Sequence, residues 1–120
     1  MLEVNDYVRI NMDNRNCIGI GRVSRIVNET IYVNMNNKYN LPVPFQIDKV
    51  VKHSKQLIDL IEVGDYVNGY KVDYVTGHYI SVESSDKFDL CFEEQDIKTI
   101  LTKEQYITNC YKVGGEDETN

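Results

Sequence analysis

Apolar and polar residues alternate along this chain in short runs, each the length of a strand. "TIYVNM" (residues 30–35) and "YISVES" (79–84) alternate with period two and are rich in β-branched and aromatic side chains. Such runs bury one face and leave the other in solvent, and both are predicted strands. Just upstream of each, two apolar residues stand three apart, Val23 with Ile26 and Val72 with Val75. That spacing breaks strand parity at the same place in both segments. A bulge or sharp bend there would keep both residues facing inward.

The coincidence extends to a repeat. "EVNDYV" opens the chain at residues 3–8 and "EVGDYV" recurs at 62–67, 59 positions later. Further on the matching offset becomes 49: Val23, Ile26, Ile31 and Val33 fall on Val72, Val75, Ile80 and Val82, and Gln46, Lys49 and Val51 fall on Gln95, Lys98 and Ile100. An insertion of about 10 residues in the first copy reconciles the two offsets, as repeats on a shared scaffold allow. It lies in the first loop. The second copy has Asn68-Gly69 between apolar residues, a strong signal for a type I′ hairpin, whose two central residues need positive φ. The first copy has the polar stretch "NMDNRNCIG", which holds Arg15. A loop that outgrows a tight turn is either a binding element or a tolerated, solvated insertion.

Each copy continues with a short fourth strand, a polar turn beginning near Gln46 or Gln95, and a last short strand. Pro42 and Pro44 confine the fourth strand of the first copy to a sheet edge, because proline cannot donate to a ladder. After the last strand, "LTKEQY" offers Thr102 as N-cap with Gln105 three residues on, a capping box, and Leu101 with Tyr106 as a hydrophobic staple. A short helix is predicted near residues 103–109, with Tyr106, Ile107 and Cys110 as its packing stripe. Between the copies, "HSKQLIDLIE" is apolar enough to be a packed linker. "GGEDETN", residues 114–120, has the composition of a disordered acidic tail.

The chain of 120 residues is 42% apolar and 27% charged, a globular composition with room for one ordinary domain or two very small ones that must share packing. No apolar run approaches the roughly eighteen residues of a membrane span, and "MLEVNDYVRI" does not read as a signal peptide. No membrane association is expected. Cys17, Cys91 and Cys110 are odd in number and widely spaced, which points to a reduced cytosolic compartment and inert thiols. The net charge of −6 is uneven: eight basic and five acidic residues up to Lys55 give +3, which leaves −9 for the remainder. All four arginines lie in the first quarter. The two halves should therefore attract different partners.

Candidate chemistry is sparse. His53 and His78 lie alone, no cysteine has a neighbour at ligand spacing, and neither a metal nor another cofactor is expected. Cys91 and His78 could meet across neighbouring strands, though nothing local demands it. No phosphate-binding glycine pattern is present, and "GIGR" at residues 19–22 fits a close-packed bent strand. The chain is read as a binding protein and not an enzyme. Two binding surfaces are then candidates. The first is acidic: Asp86, Asp89, Glu93, Glu94 and Asp96 fall within eleven residues and could occupy a basic groove that normally holds nucleic acid. The second is basic: Arg9, Arg15, Arg22 and Arg25, with Tyr32 and Tyr39 available for stacking, could hold nucleic acid or a small nucleotide. Arg22 and Arg25 bracket the proposed bulge, so only a bend there lets both point to one face. Against both surfaces stands the ordinary explanation that solvated charges merely balance one another.

The layout of five short strands, one strongly bent, with a turn of helix before the last, resembles small SH3-like barrels of the KOW and Tudor type, as does the "GDYV" opening. The resemblance covers about fifty residues per copy. It implies a mostly β chain with a tandem pair of SH3-like barrels, the first over residues 1–55 and the second over 56–113 with the short C-terminal helix, each built to bind rather than catalyse. The stretches "IDLIEVGDYVNGYKV" and "IKTILTKEQY" are similar to small proteins of Firmicutes phages and prophages. That similarity covers the second half, while the first half shares only "DYV" and the "GRV…I" strand. It implies an accessory protein in the cytoplasm of a bacterial host that binds and blocks a host protein or protein–nucleic-acid complex, such as a nucleic-acid-guided defence complex in the manner of an anti-CRISPR, or that sequesters a nucleotide. Exposed sheet edges leave monomer and homodimer both open.

Overall fold

A computed structural model describes residues 1–12, 17–35, 41–84 and 90–109. Among these residues the chain is mostly β, with strands β1 (Tyr7–Asn11), β2 (Ile18–Val27), β3 (Thr30–Asn34), β4 (Pro42–Gln46), β5 (Val50–Ser54), β6 (Tyr66–Val67), β7 (Tyr70–Val75), β8 (Ile80–Val82), β9 (Leu90–Phe92) and β10 (Ile100–Leu101), followed by one short helix, α1 (Lys103–Asn109). The strands form two five-stranded antiparallel sheets, ordered β4-β3-β2-β1-β5 and β10-β6-β7-β8-β9. Read from opposite ends, the two orders are the same. No described pairing joins the two edge strands of either sheet. Proline-bearing β4 is an edge strand, as its sequence requires.

The chain enters both sheets through the same turn. The Asp6 carboxylate accepts from the Glu3 amide at 2.9 Å, and the Asp65 carboxylate accepts from the Glu62 amide at 2.8 Å. Asn5 (φ 76°) and Gly64 (φ 99°) take the left-handed conformation the turn needs. Their amides donate to Val23 O and Val72 O, and the Val23 and Val72 amides donate in turn to Asp6 O and Asp65 O. The bend predicted from parity is present in both halves, where the ladder register shifts between Val23 and Arg25 and between Val72 and Tyr74. Val23 then faces Val33 and Ile26 faces Ile31, while Val72 faces Val82 and Val75 faces Ile80.

The later correspondence differs from the sequence reading. Ile31 pairs Phe45 and Ile80 pairs Phe92, while Val8 pairs His53 and Val67 pairs Ile100. The fourth and fifth strands therefore match at an offset of 47, not the 49 expected from Gln46 and Gln95. The 3₁₀ turns that precede β5 and β10, Ile47–Lys49 and Glu94–Asp96, follow the same offset. The chain between the third and fourth strands is two residues shorter in the second half, a change that the polar match of the two glutamines conceals.

Each half has its own buried cluster: Val8, Ile10, Val23, Ile31 and Val33 in the first, and Ile58, Ile61, Val67, Val72, Ile80 and Val82 in the second. The segment between the sheets is packed, as expected, with a 3₁₀ turn at Leu57–Leu60 whose Ile58 and Leu60 are buried. Gly21 lets the bent strand close up, since a Cβ there would lie 2.4 Å from Val33 Cγ1 and 2.7 Å from Asn34 O.

Polar bonds join the halves. Arg9 points out of the first sheet but is only 1% exposed, because the second half covers it. Its guanidinium forks onto Asp65 at 2.6 and 2.9 Å and also donates to Leu60 O at 3.0 Å and to Glu104 at 3.1 Å. Burial works against this charge, but the bonds to Asp65 and the nearby Glu62 and Glu104 outweigh it and raise the Arg9 pKa above its ordinary value. In the first half the matching Asp6 is neutralised locally. Lys55 lies 2.7 Å from it, and this bond holds the Asp6 pKa below the usual carboxylate value. A second tie runs from buried Thr102, whose hydroxyl donates to Ile18 O at 2.6 Å and accepts from the Gln105 amide at 3.0 Å. With Gln105 Oε1 accepting from the Thr102 amide at 3.1 Å, the capping box read from the sequence is complete. Helix α1 packs less than expected: Tyr106 stacks on Tyr66 with centroids 4.5 Å apart, but Ile107 is 60% exposed. Cys110 and the tail at 114–120 lie outside the described residues.

Candidate ligand-binding face and cleft

The bend in β2 decides which way the arginines point. Because the register slips by one residue after Val23, Arg22 pairs Asn34 and Arg25 pairs Tyr32. Asn34 and Tyr32 are two apart on β3 and share a face, so Arg22 and Arg25 share it too. Tyr7 on β1 pairs Arg22 from the other side. The Arg22 guanidinium lies 5.1 Å from the centre of the Tyr7 ring and Arg25 lies 4.3 Å from that of Tyr32. Each cation–aromatic contact is worth about 0.5–1 kcal/mol at an exposed site and holds the side chain flat against the sheet. Arg22 also donates through Nε to Asn5 O at 3.2 Å. Neither arginine is ion-paired with a described carboxylate.

Beside this face, the two halves enclose an open cleft of about 660 Å³, within the size range of small-molecule sites. Tyr7, Ile20 and Arg22 form one wall, and Ile97, Lys98 and Thr99 from the turn before β10 form the other. Among the described residues that line it, none is acidic. Asn68 fixes the second wall: its side-chain oxygen accepts from the Lys98 and Thr99 amides at 2.8 and 3.1 Å, and its side-chain nitrogen donates to Asp96 O at 2.9 Å. A smaller hollow of about 340 Å³, lined by Asn5, Ser24 and Asn34 among others, shares Arg22 with the cleft.

The remaining candidates divide. Arg9 is removed from the basic surface, since a guanidinium buried on Asp65 and Glu104 cannot reach a phosphate. Arg15 and Tyr39 lie outside the described residues. Of the acidic group, Asp86 and Asp89 also lie outside them. Glu94 is half-buried and accepts from the Leu57 and Ile58 amides, so it caps the turn between the sheets instead of facing a partner. Glu93 and Asp96 are exposed but cap each other's backbone across the 3₁₀ turn. Cys91 is exposed. It pairs Ser81, and His78 stands in a turn held by Thr76, so the two do not form a nucleophile and base.

Sequence reasoning missed Tyr7, Ile20, Lys98 and Thr99. Tyr7 had a signal, because "DYV" recurs as Asp65-Tyr66-Val67 and Tyr66 carries an aromatic stack in the second half. Among the described residues no group of three or more His, Cys, Asp or Glu side chains could hold a metal ion, and no helix is long and apolar enough to cross a membrane. Compared with known proteins, the chain matches no family model, and no curated protein or solved structure is similar to it at a significant level.

Proposed function

We propose that this protein is a non-enzymatic binding module that uses the outer face of its first sheet to hold a nucleotide-type ligand, one that combines phosphate with planar bases. One observation carries this reading: Arg22 and Arg25 lie on Tyr7 and Tyr32 on one face, and no carboxylate among the described residues is ion-paired with either. Guanidinium and ring together offer a phosphate a fork and a base a stacking plane. The matched strand orders and entry turns support two copies of one small SH3-like unit, one of which keeps the basic face. The −9 charge of the second half favours a short ligand over long duplex, whose backbone it would repel.

A second reading, that the acidic surface antagonises a host protein in a phage setting, draws on exposed Glu93 and Asp96 but loses Glu94 to its capping role. One experiment separates the two. A labelled single-stranded oligothymidylate titrated at low ionic strength should bind, with Arg22→Glu and Arg25→Glu each weakening it about tenfold or more and Glu93→Lys leaving it unweakened. No binding by the wild type at low salt, or indifference to both arginine reversals, would sink the nucleotide reading.

A further inference from the structure

The proposed face says which side of the first sheet binds, but not how a ligand is seated. The cleft adds that. Among the described residues that line it, each half supplies one cation, Arg22 from the first and Lys98 from the second, and neither supplies a carboxylate. Arg22 and Lys98 both line this void, and an anion that enters it is stabilised by both. The other described lining residues are apolar or neutral. Ile20, Met35, Leu57 and Ile97 offer a flat base its hydrophobic surface, while Thr99 and Gln105 offer polar edges. The walls are fixed before any ligand arrives. Arg9 and Thr102 tie the halves together, and Asn68 holds Lys98 and Thr99 in place. A site built in advance loses little ordering entropy on binding.

We infer that this cleft seats one nucleotide unit, with its phosphate between Arg22 and Lys98 and its base against the apolar wall, so that the second half completes a site begun on the first. The inference rests on the reading that the first sheet's outer face binds nucleotide-type anions. The unit is either a free nucleotide or the end of a single strand, and the Arg25–Tyr32 pair lies outside the cleft as the next step along a strand.

The test uses the full chain with four probes: a nucleoside 5′-monophosphate, the matching nucleoside, inorganic phosphate, and a short single-stranded oligothymidylate. Calorimetry should show the monophosphate binding at least about tenfold more tightly than nucleoside or phosphate alone, because only it engages both walls. Lys98→Glu, a change at an exposed side chain, should weaken the monophosphate about tenfold or more, and circular dichroism should show the fold intact. If only the oligonucleotide binds, and Lys98→Glu weakens it, the cleft takes a strand end and the inference stands. If the oligonucleotide is weakened by Arg25→Glu but not by Lys98→Glu, the cleft is not the seat, although the face reading survives. If no probe binds the wild type at low salt, both fall together.

Discussion

Arg9 shows how a single side chain can change its role through burial. In sequence it is one of four clustered arginines; in the structure it is the charge that makes two small sheets one body. Asp6 and Asp65 occupy the same turn, yet Asp6 is neutralised by Lys55 from its own half and Asp65 by Arg9 from the other. Removing one partner of such a buried pair leaves the other charge stranded, which costs about 3–5 kcal/mol. Arg9→Met should therefore lower unfolding stability by about that amount in urea. Arg9→Lys should recover little, since an ammonium cannot fork onto Asp65 while also reaching Leu60 O and Glu104. A loss under 1 kcal/mol for Arg9→Met would show that the halves are held by packing alone. No signal in the sequence marked Arg9 as buried. It alternates outward between Val8 and Ile10 as a surface residue should, and only the docking of the second half covers it.

At the scale of elements, the strands, the paired bends and the capped helix were legible because each depends on neighbours in sequence. Parity broke at Val23 and Ile26, and the ladder slips there; Thr102 and Gln105 stood at capping distance, and they cap. The fourth and fifth strands were misaligned by two residues because matching glutamines outweighed a pairing that only the sheet reveals. The Asn68-Gly69 hairpin was read for its turn geometry, which it has, with φ of 54° and 87°. Its second task, bonding the amides of Lys98 and Thr99 some thirty residues on, has no local signature. The two tasks are separable. Asn68→Ala loses both the tolerance for positive φ and the bonds, at about 1–3 kcal/mol, whereas Asn68→Gly keeps the first and should cost visibly less. Equal losses for the two variants in thermal unfolding would mean that the turn conformation contributes nothing beyond the bonds.

For the whole molecule, the uneven charge takes on a geometry. The acidic second half spends Asp65, Glu62 and Glu104 on Arg9, and Glu94 on the turn between the sheets, so part of its charge is structural. The basic first half turns two arginines outward on tyrosines beside a cleft that both halves line, with no ion pair to a carboxylate among the described residues. In the account proposed above, duplication of one small sheet followed by this division of charge yields a site at the junction that neither half has alone. Amide NMR of the labelled protein, titrated with a short single-stranded oligothymidylate at low ionic strength, tests this most directly because it reads every surface at once. Shifts should concentrate at Tyr7, Arg22, Arg25 and Tyr32 and extend across the junction to Lys98 and Thr99, leaving Glu93 unmoved. No shifts, or shifts confined to the acidic turn at Glu93–Asp96, would contradict it.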